Sequence, residues 1–459
     1  MTNDTPNVLK TSALLVVSRA CPTIALLAVN MYYARTLNYD DYASYQSAWL
    51  WINALTLLGS IGLPKYLLTF GSFDQLFSAH NRLKLFCIGG IIVVTGFLLS
   101  PFRNVFSLAE TLFFMATILV QIMVLVCESA LLHAHRNKQI MLASCGFSVC
   151  FLLGHYIVQQ LGFGYTPWLV MMFIAGIFRW WMMRTSLVPD SNDAEKPNEL
   201  KWIATNDAMQ FTTKWLDKFI LVYLLTPKEF SIYFNGTNEI PLIGVLLAAF
   251  GAAFSVHAAR SISSERHALA FRKSASAFSV VLFPLFGWCF FFSAEIVTTL
   301  FGDQYSTSAP LFAMMSLLLP IRIMAYTPVL QQQGKGKIVL LGAVLDLGIA
   351  SALMLMLYPL LSVRGIAMAV VIATYVQVIY YVYHILRSYN AKLIALFEWK
   401  LLGGRLLFVV LSFVALRLIL WDKVDLLSTG VSLLLFLMLT LWFSIREWKR
   451  ELAADAAHN

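Results

Sequence analysis

The chain has 459 residues, a formal net charge of +9, 59% hydrophobic residues and only 12% charged ones. A soluble chain spends about 25% of its residues on charge, so there is too little polar surface here to cover a water-facing core. A nucleic-acid groove would need a soluble basic surface, which this composition excludes. The positive excess reads instead as basic loops beside a membrane, and it is compatible with an anionic substrate.

A spanning helix needs about 20 residues. Apolar stretches of that order occupy 11–34, 44–70, 83–100, 108–133, 140–158 and 166–183. The next segment, Arg184 to Lys201, carries two prolines and mixed charge and reads as a solvated linker. Apolar stretches resume at 204–225, 238–260, 274–296, 308–330, 338–358 and 364–386. A basic loop covers about 387–400, two last stretches lie at 401–419 and 424–445, and a polar tail follows. The N-terminus, MTNDTPNVLK, lacks a basic region followed by a cleavage site, so the first stretch reads as a retained helix. The expected class is an all-α polytopic membrane protein with about 14 transmembrane helices.

Nineteen Lys or Arg fall in the even-numbered loops and the tail, against five in the odd-numbered loops. That bias places both termini in the cytoplasm. An internal repeat appears at an offset of 188: Leu37, Asp41, Tyr42 and Tyr45 match Leu225, Glu229, Phe230 and Tyr233. The spacing equals six spans, so two pseudo-symmetric parallel six-helix bundles follow, 1–190 and 204–386, joined by a cytoplasmic linker at 191–203. The loop 387–400, an added helix pair at 401–445 and a cytoplasmic tail at 446–459 complete the chain. Parallel repeats suit alternating access to a central cavity.

Ionisable residues at membrane depth are costly and face a cavity or a partner. Asp207, Gln210, Lys214 and Lys218 share one helical face by their spacing, with Asp207 and Lys214 two turns apart. Asp217 and Lys218 are adjacent and are expected to point in different directions. This face reads either as an ion-pair network or as a cavity wall for an anionic group. Arg19, Lys65 and Arg322 are the other candidate cavity cations, and Arg322 lies where Pro320 and Pro328 predict a kink. Glu128, Asp207, Asp217, Glu239 and Asp346 are candidates for ion pairing or for coupling to a cation. His155 reads as a satisfied interfacial histidine. The six cysteines form no CxxC pair and read as small buried hydrophobes. GKGK at 334–337 lacks P-loop spacing, and neither a catalytic constellation nor a metal-ligand set is visible.

Three segments carry a resemblance. In MYYARTLNYDDYASYQSAWLWINALTLLGSIGLPKYL, Arg35, Leu37, Asp41, Tyr42, Tyr45, Gly62 and Leu63 fit an opening pattern of helix, turn, acidic-aromatic pair, helix and Gly-Leu close. Asn38 stands where that pattern has Gly. LFGDQYSTSAPLFAMMSLLLP at 300–320 holds a Phe-Gly-x-x-Tyr segment, and QQQGKGK follows at 331–337. In these features the chain resembles the polysaccharide-export and O-antigen flippases of the multidrug/oligosaccharidyl-lipid/polysaccharide exporter superfamily.

The resemblance implies a non-enzymatic flippase in a bacterial inner membrane. Its cargo would be a polyprenyl-diphosphate-linked O-antigen, capsule or exopolysaccharide unit. It would act as a monomer with membrane lipids, alongside polymerase and glycosyltransferase machinery, with no nucleic acid and no cofactor. A proton or sodium gradient is the candidate drive. The alternatives are a peptidoglycan-precursor flippase, which fourteen spans favour, and a cation-coupled multidrug or metabolite antiporter.

Overall fold

A computed structural model describes residues 5–70, 79–134, 136–162, 164–184, 197–237, 264–324, 326–333, 335–389, 397–420 and 426–458. All regular structure among these residues is helical. The chain divides into two compact units, Met1–Ser231 and Ile232–Asn459. Eight described helices are long and apolar enough to cross a bilayer. Described helices cover every expected stretch except 238–260, which lies outside the described residues together with Glu239.

The first unit contains α1 (Thr5–Thr36), α2 (Tyr39–Gly59), α3 (Leu63–Phe70), α4 (Ala79–Leu99), α5 (Leu108–His133), α6 (Asn137–Gln160), α7 (Tyr165–Arg184) and α8 (Pro197–Leu224). The single span expected at 44–70 is two helices, because the backbone turns at Ile61 and Gly62, both with positive φ. A Cβ on Gly62 would also stand 2.8 Å from Ala204 Cα, so glycine meets both the conformation and the close approach of α8. Ser107 starts α5 with a capping box to Glu110. Helices α5, α6 and α7 then enclose a core of Val120, Val124, Cys127, Leu131, Ile140, Ala143 and Met183. Helix α1 packs on α6, and α8 packs on α2 and α3. Hence α8 belongs with the first unit, and the division falls after the linker expected at 191–203.

Helix α9 (Pro227–Thr237) carries the chain across the division. The second unit continues with α10 (Ser264–Phe291), α11 (Ser293–Phe301), α12 (Ala309–Ser316), α13 (Tyr326–Gln332), α14 (Gly336–Leu361), α15 (Val363–Tyr389), α16 (Trp399–Leu420) and α17 (Leu426–His458). The predicted kink is a break: a 3-10 turn at Pro320–Arg322 separates α12 from α13. The carbonyls freed there are used, since Tyr375 and Tyr326 hydroxyls donate to Leu317 O and Ile321 O. In the Phe-Gly-x-x-Tyr segment, Gly302 has φ 95° and lets Tyr305 turn fully inward. Residues 446–458, expected as a tail, extend α17.

Leu355, Met356, Ile419 and Leu441 are each more than 60% exposed on helices long and apolar enough to span a bilayer. Such faces need lipid rather than water, and helices satisfy their own backbone there. The chain is a multi-pass membrane protein.

Candidate functional site

The repeat is visible in atomic detail at its two turns. Asn38 Oδ1 accepts from the Asp41 N–H at 2.8 Å, and its amide donates to Asp41 Oδ2 at 2.9 Å. At the positions 188 residues on, Thr226 Oγ1 donates to Glu229 Oε2 at 2.9 Å, and the Glu229 N–H returns to Thr226 Oγ1 at 3.3 Å. The aromatic pairs that follow, Tyr42 and Tyr45 in one turn, Phe230 and Tyr233 in the other, are all buried. Short polar caps thus fix where each second helix starts, and the following aromatics anchor it. The Lys228 ammonium lies 5.4 Å from the Tyr39 ring.

The charges on α8 are arranged differently from the single-helix reading. Asp207 pairs with Lys65 of α3 at 2.9 Å, with the two side chains 22% and 39% exposed. The close packing at Gly62 and Ala204 brings these residues within reach. Asp217 and Lys218 do not diverge: the Lys218 ammonium folds back to Asp217 Oδ2 at 3.3 Å, and both residues are buried. Lys218 also lies 5.2 Å from the Trp215 ring. Burial without water favours this adjacent pairing, because each charge is costly alone. The two ion pairs are about 15 Å apart along α8 at 1.5 Å per residue. The Lys214 side chain lies outside the described residues.

The remaining candidates separate. Glu128 pairs with Arg179 of α7 at 2.8 Å inside the core of the first unit, and Arg179 also reaches Ser144 and the face of Phe147. That is a structural lock between α5, α6 and α7. Arg19 is exposed on α1, and among the described residues no ion pair joins its side chain. Arg322 is half-buried in the broken helix. Asp346 is 5% exposed and has no ion-pair partner among the described residues. His155 is satisfied, as expected, but in the core: Trp168 Nε1 donates to its Nε2 at 3.2 Å and its Nδ1 bonds Phe151 O at 2.7 Å.

Sequence reasoning missed a set of charges in the second unit. Arg405 of α16, 5% exposed, pairs with Glu447 of α17 and donates to Ser276 O at 2.7 Å and Ser279 Oγ at 2.9 Å on α10. Arg417 pairs with Glu295 of α11, which is 1% exposed. Arg272 and Arg450 both hold Glu398, at 2.9 and 2.5 Å. The signal was present, since Arg405 and Arg417 interrupt an apolar run. Among the described residues, no group of three His, Cys, Asp or Glu could hold a metal ion.

No protein family and no curated relative matches the sequence. Solved structures do. The inward closed conformation of the lipid II flippase MurJ superposes with a TM-score of 0.68 at 12% identity, over 96% of this chain and all of that one. An inward-facing multidrug resistance MATE family transporter of the MOP superfamily gives 0.55 at 15% identity, covering 82% and 98%. A MOP superfamily transporter from Pyrococcus furiosus, described by the reversed polarity of its binding pocket, gives 0.56 at 15%, covering 83% and 95%. These likenesses establish the fold, that of an all-helical membrane protein built like the lipid II flippase and the MATE transporters.

Proposed function

We propose that the protein is a flippase of a bacterial cytoplasmic membrane that moves a polyprenyl-diphosphate-linked oligosaccharide between leaflets by alternating access. The observation that carries this reading is the extent of the fold match. The lipid II flippase covers 96% of the chain, where the MATE transporter covers 82%. The cations on α3 and α8 stand about 15 Å apart along α8, so a diphosphate would meet them in turn rather than together. Lys65 and Lys218 are each held by a carboxylate, and a diphosphate would replace that partner with charge-assisted hydrogen bonds of the same kind. The exchange keeps each cation paired, which offsets part of the cost of desolvating the anion, and the displaced carboxylate must take up a proton or another partner. The polyprenyl tail stays in lipid throughout. Asp346, buried without a cationic partner among the described residues, is the candidate for coupling to a proton or sodium ion.

A peptidoglycan precursor is the second cargo, favoured by the same neighbour. Depleting the protein and analysing lipid-linked glycans tests both. The O-antigen or capsule reading expects repeat units to accumulate on the inner leaflet with surface polysaccharide lost. Accumulated peptidoglycan precursor with intact surface polysaccharide selects the second reading. Normal levels of both, with increased drug sensitivity, would leave only an antiporter.

A further inference from the structure

We propose that the start of α6, facing the end of α7, forms a binding site for the headgroup of an anionic, hydroxyl-bearing phospholipid. A cavity of about 550 Å³ lies at this end of the first unit, between the start of α6 and the end of α7. That volume is within the range of small-ligand sites. Positive-charge bias assigns this end to the cytoplasm.

Three features specify the occupant. First, Arg136 and Lys138 line the cavity and are exposed, and among the described residues its lining contains no carboxylate. Second, the cavity sits on the N-terminus of a 24-residue helix whose N-cap, Arg136, makes no side-chain cap. The first backbone N–H groups of α6 and the helix dipole therefore favour an anion there. Third, Asn137 lines the same cavity, is 4% exposed, and its Oδ1 has no hydrogen-bond partner among the described residues. A buried acceptor of that kind needs a donor from the ligand. A phosphodiester satisfies the cations and the helix terminus, and a headgroup hydroxyl satisfies Asn137.

The remaining walls choose lipid over a soluble phosphate. Leu142 and Trp181 line the cavity and are 48% and 50% exposed, an apolar strip on two membrane-crossing helices. Acyl chains can lie along it, and an indole suits the interface depth. Gln139 donates to Met182 O at 2.8 Å and so holds α6 and α7 at the spacing that leaves the groove.

The test uses the purified full chain, equilibrated with phosphatidylglycerol, phosphatidylethanolamine or phosphatidylcholine and read by native mass spectrometry. One retained phosphatidylglycerol is expected, in preference to phosphatidylcholine. Each surface cation contributes a factor of about five toward anionic lipid, so R136Q/K138Q should lower that preference roughly twenty-five-fold at an unchanged melting temperature. Millimolar glycerol phosphate should not displace the lipid. Equal retention of the three lipids by the unaltered protein overturns the proposal without any variant. Displacement by glycerol phosphate, or an unchanged preference in the folded double variant, overturns it as well.

Discussion

The C-terminal helix pair is held to α10 by charge, and removing that charge gives a sharp test. Arg405 is 5% exposed, and the Glu447 side chain 14%. Ser276 joins the pair from both sides, since its Oγ donates to Glu447 at 2.7 Å while its carbonyl accepts from Arg405. Replacing Glu447 with Leu leaves a buried guanidinium with only neutral partners. Breaking a buried pair from one side costs about 3–5 kcal/mol, and the partial exposure of Glu447 points to the lower end, about 3. The neutral rungs nearby, Trp288 of α10 to Ser432 and Thr299 of α11 to Thr429, resemble interhelical hydrogen bonds in lipid, which average about 0.6 kcal/mol. S432A should therefore cost about five times less than E447L. The double variant R405M/E447L removes both charges and should recover most of the loss, because an apolar pair of similar volume is often neutral or better. The assay is equilibrium unfolding in mixed micelles across a double-mutant cycle, which isolates the coupling. Additive losses, or an E447L cost no larger than that of S432A, would refute a buried, coupled pair.

Four further outcomes are expected. Lys65→Ala and Lys218→Ala should lower export at unchanged protein level, and the swap K65D/D207K should restore the Lys65–Asp207 pair and stability without restoring export. Restored export would make that pair structural only. Lys214→Ala and Arg322→Ala should also lower export, and normal export in both removes them from the mechanism. Asn38→Ala and Thr226→Ala should each cost about 1 kcal/mol, the usual value of an N-cap, and a large difference between them would weaken the equivalence of the two turns. Burial alone would raise the pKa of Glu398, but hydrogen bonds and charge from Arg450 and Arg272 outweigh it and hold the carboxyl below its usual 4.5. A depressed acid contributes stability above its unfolded pKa and loses it as pH falls through the folded one. Melting temperature should therefore fall below about pH 4.5, the usual value for Glu, less steeply in E398Q than in the unaltered protein.

Local signals survived folding where they were local. The run 108–133 became α5 without change of ends, because Ser107 and Glu110 cap it within four residues. The turn repeat was legible because its cap and its aromatic pair are written in eight consecutive positions. The break at Pro320 was legible as a kink, since proline removes a donor wherever it falls. Partner choice was not legible. Helical spacing on α8 gave no sign of Lys65, 142 residues away, which Asp207 meets. Arg179 with Glu128 and Arg417 with Glu295 are likewise separated by 51 and 122 residues. Such pairs depend on which helices lie side by side, and the period of one helix does not encode that. Adjacency misled in the opposite sense at Asp217 and Lys218, where a flexible lysine stem turned back to its neighbour.

The most direct test of a lipid-linked cargo is reconstitution of the purified protein in vesicles with a polyprenyl-diphosphate-linked glycan labelled on its sugar. Protection of the label from an external glycan-modifying enzyme reports its leaflet. The expected result is exchange between leaflets that requires the protein, slows with Lys65→Ala and Lys218→Ala, and leaves a neutral polyprenol unmoved. A label that stays in its original leaflet, under either ion gradient and with folded protein present, would contradict the assignment.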